Sequence, residues 1–99
     1  MHVITKSRIV DAQAKHNDSS GALSAWYQLI KANEFENYAE IKKVFPSIDK
    51  VKNLYVFNVG GNKLRVICAI HFNRRKVFIR YVLTHKEYDQ NRWKQQEGI

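Results

Sequence analysis

Several kinds of residue and segment are scarce in this chain, and each absence excludes a class of protein. There is one cysteine, Cys68, so no internal disulfide can form, which suits a reducing cytoplasm. No apolar run approaches the ~18 residues that a membrane span needs, and the first residues lack the apolar core of a signal peptide. We therefore expect a cytoplasmic protein that does not enter membranes, folded as a single domain over residues 1–99.

Negative charge is also scarce, but only in the second half of the chain. Residues 1–49 carry six Lys/Arg and six Asp/Glu, whereas residues 50–99 carry eleven Lys/Arg and three Asp/Glu, which accounts for the whole net charge of +8. Such an uneven field attracts polyanions and speeds encounter with them. The charge distribution therefore favours nucleic-acid binding, and a basic face that merely keeps the protein soluble is the alternative interpretation.

The first half of the chain predicts a short strand followed by helices. The strand covers residues 2–5, a helix ends near Lys15, and residues 17–21 form a break. A third helix begins at Asn37 and is ended by Pro46. The helix between them carries apolar side chains at offsets of three, four and seven, typical of a face packed on a core: Leu23, Trp26, Tyr27 and Ile30.

The second half changes to the alternating pattern of β-strands. Strands are predicted over residues 54–59, 63–72 and 76–84, with tight turns at Gly60-Gly61 and at Arg74-Arg75. A short C-terminal helix follows directly, because the last strand ends in a capping-box sequence, Thr-x-x-Glu.

Two-residue turns fix a register for these strands. They place Phe57 opposite Leu64 and Val66 opposite Leu83, so that one face of the sheet is almost wholly apolar. The predicted fold class is α+β: a mainly antiparallel sheet of three to four strands, two to three N-terminal helices packed on one face, and a short C-terminal helix.

The opposite face of this predicted sheet mixes cations with apolar side chains. Lys63, Arg65 and Arg80 project from it, and the side chains interleaved with them are apolar: Ile67, Phe78 and Val82. Cations hold phosphates and rings stack on bases, so the pattern predicts a nucleic-acid surface. A solvated outer face and a face covered by a partner chain are the alternatives.

Two segments together resemble a known family. Residues 55–66 (YVFNVGGNKLRV) and residues 84–89 (THKEYD) are similar to the HigB toxins of bacterial type II toxin–antitoxin systems, and residues 43–47 and 1–5 extend the likeness. The resemblance covers about 90 of the 99 residues. The paired signature of a glycine hairpin with Leu-Arg-Val and a later Thr-His-Lys-Glu-Tyr-Asp is specific, whereas either half alone is weak.

The resemblance implies a fold, an activity and partners. The fold would be RelE-like. The activity would be that of a ribosome-dependent endoribonuclease, an mRNA interferase that cleaves translated mRNA at the ribosomal A site. The partner would be a HigA-type helix-turn-helix antitoxin whose complex with the toxin binds operator DNA. No cofactor is expected, and no metal, because no pair of His, Cys or carboxylate side chains has typical ligand spacing.

Metal-free RNA cleavage needs proton-transfer groups and cations near the scissile phosphate. Arg65 matches the phosphate-binding arginine of the family, and Arg80 is the second expected cation. His85 is the best acid–base candidate, unless it only supports the turn. Tyr88 either stacks on a base or orients the phosphate, or it anchors the turn. Further RNA contacts are expected from polar side chains of the basic half: Asn58, Lys63, His71, Arg74, Arg75, Lys76 and Lys86.

The chain also departs from part of the family. Some HigB relatives carry a catalytic histidine and tyrosine at the very C-terminus, and residues 92–99 here contain no such pair. Those residues cannot be transferred, so the general base stays unassigned. Trp93 in this tail either contacts rRNA or packs against the sheet.

Two other functions fit the same residues. One is a non-catalytic RNA- or ribosome-binding module that uses the basic face, and the other is a subunit whose apolar residues serve only a protein partner. His85 and Tyr88 beside two arginines favour the endoribonuclease. A small helix-turn-helix protein in the neighbouring reading frame would favour it too.

Overall fold

A computed structural model describes residues 1–99 and contains one five-stranded sheet in the order β1-β5-β4-β3-β2. β1 pairs with β5 in parallel, and every other pair is antiparallel. The elements in chain order are β1 (His2–Ile4), α1 (Ser7–Lys15), α2 (Ser20–Ala32), α3 (Tyr38–Val44), β2 (Asp49–Val51), β3 (Leu54–Val59), β4 (Leu64–His71), β5 (Lys76–Thr84), α4 (His85–Asp89) and α5 (Arg92–Gln96). No helix is long and apolar enough to cross a membrane.

The α+β class is confirmed, with one strand more than the sequence predicts. β2 is a three-residue edge strand paired with the start of β3 across a two-residue turn, in which Lys52 takes a left-handed conformation (φ 56°). Two of its three residues, Asp49 and Lys50, are charged, and no glycine marks the turn that follows it. A strand this short has no alternation to reveal it.

The helices α1, α2 and α3 cover one face of the sheet and enclose the main core. Leu23, Trp26 and Ile30 of α2 are buried as the stripe predicts, whereas Tyr27 is only partly covered. The Trp26 ring meets the Phe57 ring of β3 edge-on, with centroids 5.2 Å apart. Helix α3 begins where predicted, because the Asn37 side chain accepts a hydrogen bond from the third residue of the helix.

The first hairpin differs from the predicted register by two residues. Val59 pairs with Leu64 and Phe57 with Val66, so the turn contains four residues, Gly60 to Lys63, rather than two. Three successive positive φ angles, from Gly60 to Asn62, widen the turn. The predicted pairing was wrong, but an even shift leaves each side chain on its expected face.

The second hairpin contains a β-bulge that the prediction lacks. Ile67 pairs with Tyr81 while Cys68 pairs with Ile79, which makes Arg80 the extra residue. Beyond the bulge the faces exchange, because an odd insertion inverts the alternation. Val82 therefore packs against the main core, and the predicted pairing of Val66 with Leu83 is wrong.

The face of the sheet that points away from α1, α2 and α3, here called the second face, is partly covered where we expected it to be open. Trp93 of α5, 2% exposed, forms a small second core with Leu54, Val56 and Ile67. The expectation that Ile67 and Val82 accompany exposed cations is therefore wrong, because both serve packing. Of the apolar side chains predicted for this face, Phe78 alone stays half-buried there.

Candidate active site

Arg65 is a buried cation at the start of β4, on the second face of the sheet. It is 7% exposed and lies opposite Asn58 on β3 and Leu83 on β5. Its Nη1 donates to the carbonyl oxygens of Asn62 (3.0 Å) and Leu64 (3.3 Å), which fixes the guanidinium against the hairpin turn. None of the ion pairs of the molecule includes Arg65. The positive charge is therefore buried without a carboxylate to balance it.

His85 completes the environment of this guanidinium. Arg65 Nη2 lies 2.9 Å from His85 Nδ1. A guanidinium only donates, so Nδ1 accepts and the neutral ring carries its hydrogen on Nε2. Nε2 lies 3.3 Å from a carboxylate oxygen of Asp89, one turn along α4, and the His85 side chain is 56% exposed. The imidazole of His85 therefore contacts the buried guanidinium on one side and solvent on the other.

The backbone positions His85 as firmly as its side-chain contacts do. Its N–H donates to the Lys63 carbonyl oxygen at 3.1 Å, which ties the start of α4 to the hairpin that holds Arg65. Thr84 and Glu87 form the predicted capping box, each side chain accepting from the other's backbone N–H. The backbone N–H of Thr84 lowers the pKa of the Glu87 carboxyl, although partial burial opposes this. The capping-box prediction is confirmed.

Tyr88 lies between Arg65 and the second core. Its ring centroid is 5.5 Å from the guanidinium carbon of Arg65, and the ring stacks on Trp93 at 5.4 Å with a 17° interplanar angle. Trp93 Nε1 donates to the Tyr88 carbonyl oxygen at 3.2 Å. Burial and then the Asp49 carboxylate raise the pKa of the Tyr88 phenol, against the opposing charge of Arg65. The phenol is therefore protonated at neutral pH.

This cluster has the chemistry of an anion site with a proton-transfer group beside it. Arg65 uses three of its five N–H donors within the chain, and the other two make no hydrogen bond there. Because an unpaired buried charge is costly, an anion that approaches from the exposed His85 side would be bound favourably. No group of three or more His, Cys, Asp or Glu side chains could hold a metal ion.

Comparison with known proteins shows which family contains a chain with this cluster. Residues 19–91, which include Arg65, His85 and Tyr88, match the family model described as HigB_toxin, the RelE-like toxic component of a toxin–antitoxin system. The chain belongs to the HigB toxin family. Over 92 residues it is 45% identical to the mRNA interferase toxin HigB of Escherichia coli K12, covering 90% of this chain and 88% of that protein.

Two further relatives agree. The mRNA interferase HigB of Shigella flexneri gives the same identity and coverage. The mRNA interferase HigB of Escherichia coli O6:H1 is 36% identical over 92 residues, which are 90% of this chain and 89% of that protein. Membership of the HigB family agrees with the predicted RelE-like α+β fold.

Arg80 does not join the cluster in this HigB-family chain. It is the extra residue of the bulge, its side chain is 51% exposed, and its ion pair with Glu97 is long at 4.0 Å. Tyr81 beside it donates a hydrogen bond to the same Glu97 at 2.8 Å. The structure thus brings together three of the four predicted catalytic side chains and leaves Arg80 apart.

The expected RNA contacts near the cluster have different surroundings. Asn58 is exposed directly across the strand pair from Arg65, and Lys86 is exposed on α4. The Lys63 ammonium instead forms an exposed ion pair with Asp18 at 3.1 Å. Asn58 and Lys86 are therefore free to meet RNA beside Arg65, whereas Lys63 contributes its carbonyl to His85.

The remaining expected contacts lie at the other end of β4. His71 is six residues from Arg65, about 20 Å along the strand, and pairs with Lys76. Arg74 is exposed in the adjoining turn. Arg75 makes structural contacts: it donates to two backbone carbonyls and pairs with two glutamates of the loop after α2.

Asp89 also belongs to the cluster, although it was not among the residues predicted from the sequence. It closes the THKEYD signature, four residues after His85, and a helix brings positions i and i+4 together. That spacing was the available signal. The Asn62 and Leu64 carbonyls that hold Arg65 have no side-chain signal, because any residue supplies a carbonyl.

Proposed function

We propose that this chain is an mRNA interferase, a ribosome-dependent endoribonuclease that cuts translated mRNA and thereby stops growth. The observation that carries the proposal is Arg65: a buried guanidinium with no carboxylate partner, joined at 2.9 Å to an exposed imidazole. The relatives that cover most of the chain bear the name mRNA interferase, which supports the same reaction class.

The reaction uses the nucleophile that RNA already carries. A base takes the proton of the 2′-hydroxyl, the 2′-oxygen attacks the adjacent phosphorus, and the 5′-oxygen leaves with a proton from an acid. Negative charge grows on the phosphoryl oxygens during this step, so a fixed cation lowers the barrier. The steps balance without a metal ion.

Arg65 stabilises that growing charge. Its two remaining N–H donors meet the phosphoryl oxygens, while the carbonyls of Asn62 and Leu64 hold the group in place beforehand. Donors that are already oriented need no reorganisation during the reaction, and removing one typically costs about 100- to 1000-fold in rate.

His85 transfers a proton at the same phosphate. In the free chain its Nδ1 lone pair is occupied by Arg65. A phosphate that draws the guanidinium toward itself releases this nitrogen, which then becomes a free basic atom next to the scissile bond. Tyr88 holds Arg65 from the other side through its ring, which is itself fixed by Trp93. We assign Tyr88 the orientation of Arg65 rather than base stacking.

The partners follow from the family and the charge. A toxic component of a toxin–antitoxin system has a cognate antitoxin. We propose that this antitoxin is of the HigA type, that the complex binds operator DNA, and that the basic second half contacts rRNA at the A site in the cytoplasm. Asn58 and Lys86 contact phosphates that flank the cut.

Induced expression followed by mapping of mRNA 5′ ends tests the proposal. Wild type should give cuts inside translated codons, and Arg65→Ala should abolish them. Lys43→Gln, which removes an exposed charge on α3, is the matched control and should cut like wild type. Growth arrest with intact mRNA would instead support the non-catalytic binding module.

A further inference from the structure

A cavity of about 370 Å³ lies beside β5 on the same sheet face as Arg65, at the point where the edge strand β1 ends. No carboxylate contributes to its wall, which consists of Thr5, Arg8, Ala69, His71, Phe78, Ile79 and Arg80. Its volume is in the range of small-ligand sites, and its lining combines cations with aromatic rings. The cavity is separate from the Arg65–His85 cluster.

The end of β1 and the bulge of β5 build this cavity together. β1 pairs with β5 only as far as Phe78, and Thr5 then turns away in a left-handed conformation (φ 67°). The Thr5 hydroxyl oxygen accepts from the Ile79 N–H at 3.0 Å, which closes the strand pair at that point. At the bulge the Arg80 side chain lines the cavity, together with Arg8 from the first turn of α1.

The two guanidinium groups are poorly neutralised. Arg8 is exposed and forms no ion pair, and the ion pair of Arg80 with Glu97 is at the 4.0 Å limit. Both guanidinium groups lie on the wall of the same cavity. A single anion could therefore be held by both arginines.

Aromatic surface lies next to these charges. The His71 and Phe78 rings meet at 5.1 Å with an angle of 71°, and Phe78 is half-buried with one part open to the cavity. Ala69 on the cavity wall is four residues from Arg65 on the same strand and face, about 13 Å along β4. A few nucleotides of one strand span that distance.

We propose that this cavity binds one nucleotide of single-stranded RNA at a distance from the cut, with its phosphate between Arg8 and Arg80 and its base against Phe78. The proposal rests on the proposed function, because the strand is the one that Arg65 and His85 would cleave. The carboxylates of an acidic protein segment would pair with the two arginines, but they would offer no flat ring to stack on Phe78 and His71. Stacking on rings beside cations is typical of single-strand binding.

The test measures binding of a fluorescent 2′-O-methyl octaribonucleotide, which cannot be cleaved, by anisotropy at several salt concentrations. The double variant Arg8→Gln/Arg80→Gln should bind about tenfold more weakly, with a log–log salt slope smaller by roughly 0.7 for one lost phosphate contact. Arg8→Lys/Arg80→Lys should keep most of the slope. Lys42→Gln/Lys43→Gln on α3 loses the same charge and should leave both quantities nearly unchanged.

Phe78→Leu should weaken binding several-fold without altering the salt slope, because a base contact carries no charge.

Unchanged RNA affinity in Arg8→Gln/Arg80→Gln would overturn the proposal, and so would a loss confined to binding of the purified antitoxin. NMR titrations that follow the ring resonances of His71 and Phe78 give the affinity of each ligand. If inorganic phosphate bound with the same affinity as the oligonucleotide, the cavity would be a site for free anions, and this would also overturn the proposal. The experiment measures RNA binding and not cleavage. If the wild-type protein made no cuts in mRNA, the proposed function would be wrong, but the binding result would still test the cavity.

Discussion

Two arginines on neighbouring strands of one sheet have opposite surroundings. Arg65 is 7% exposed, is held by two carbonyls and an imidazole, and forms no ion pair with a carboxylate. Arg80 is 51% exposed, has a long ion pair with Glu97, and borders an open cavity. The same charged group thus becomes a fixed, desolvated cation in one region and a solvated one in the other. The first environment suits charge stabilisation in a reaction, and the second suits binding.

The energetics of the two regions differ accordingly. Burying an unpaired cation costs several kcal/mol, so the fold around Arg65 sacrifices stability that a bound phosphate would restore. Exposed ion pairs such as that of Arg80 are worth only about 0–1 kcal/mol, so Arg80 can exchange Glu97 for another anion at little cost. The comparison therefore predicts different responses to mutation in the two regions.

The largest expected effect is on the reaction at the Arg65 cluster. His85→Gln retains an acceptor for Arg65 but cannot transfer a proton, so the rate of mRNA cleavage should fall by about 100- to 10,000-fold with folding unchanged. His2→Gln on β1 is the matched control. Quantitative mapping of 5′ ends against time measures the rate. Cutting by His85→Gln at the wild-type rate would remove His85 from the mechanism.

Trp93→Ala should give the largest loss of stability, because Trp93 supports Tyr88 and fills the second core under the cluster. Truncating a buried tryptophan costs about 3–5 kcal/mol in the free energy of unfolding. Phe78→Ala beside the cavity should cost clearly less, because Phe78 is only half-buried. Urea unfolding of both variants gives the comparison. Equal losses would mean that the two regions are packed alike.

A smaller effect is expected at the start of α4. Thr84→Ala removes the oxygen that caps the helix carrying His85 and should cost about 1 kcal/mol in the free energy of unfolding. Because the same cap orients His85, cleavage should also slow. Ser at this position would retain the hydroxyl and should rescue both quantities; a failure of Thr84→Ser to do so would contradict a capping role.

The smallest effect concerns pH. The folded-state pKa of Glu87 is lowered, chiefly by the Thr84 backbone N–H, so its contribution to stability is present above its ordinary value of 4.5 and is lost as pH falls through the lower folded-state pKa. Glu87→Gln should therefore flatten the acid limb of the stability profile and leave the profile above pH 6 with the same slope. Parallel acid limbs for the two proteins would contradict this.

The sequence predicted the strands and the helices that cover one face of the sheet, and it left open what covers the other face. Alternation located β3 to β5 because half-buried strands repeat every two residues. The bulge at Arg80 was not predictable, since a single extra residue leaves the local pattern intact while it inverts the faces beyond it. Trp93 was ambiguous, because one aromatic residue in a polar tail does not say whether it meets RNA or the sheet.

The candidate site also has a part that the sequence predicted and a part that it did not. Arg65, His85 and Tyr88 lie in two short motifs that carry the family likeness, and the structure brings them together. Arg80 was assigned from the predicted register, but as the extra residue of the bulge its side chain lines the cavity and does not join the cluster. The cavity with Arg8 could not be predicted at all, because Arg8 is far from Arg80 in sequence and lines the same cavity only through the pairing of β1 with β5.

Single-turnover cleavage of ribosome-bound mRNA over a range of toxin concentrations tests the difference between the two arginines most directly. We expect Arg65→Gln to lower the rate at saturating toxin by about 100- to 1000-fold, whereas Arg80→Gln should raise the concentration needed for half the maximal rate and leave that maximum unchanged. Equal losses of the maximal rate in both variants, or a larger loss for Arg80→Gln, would contradict this expectation.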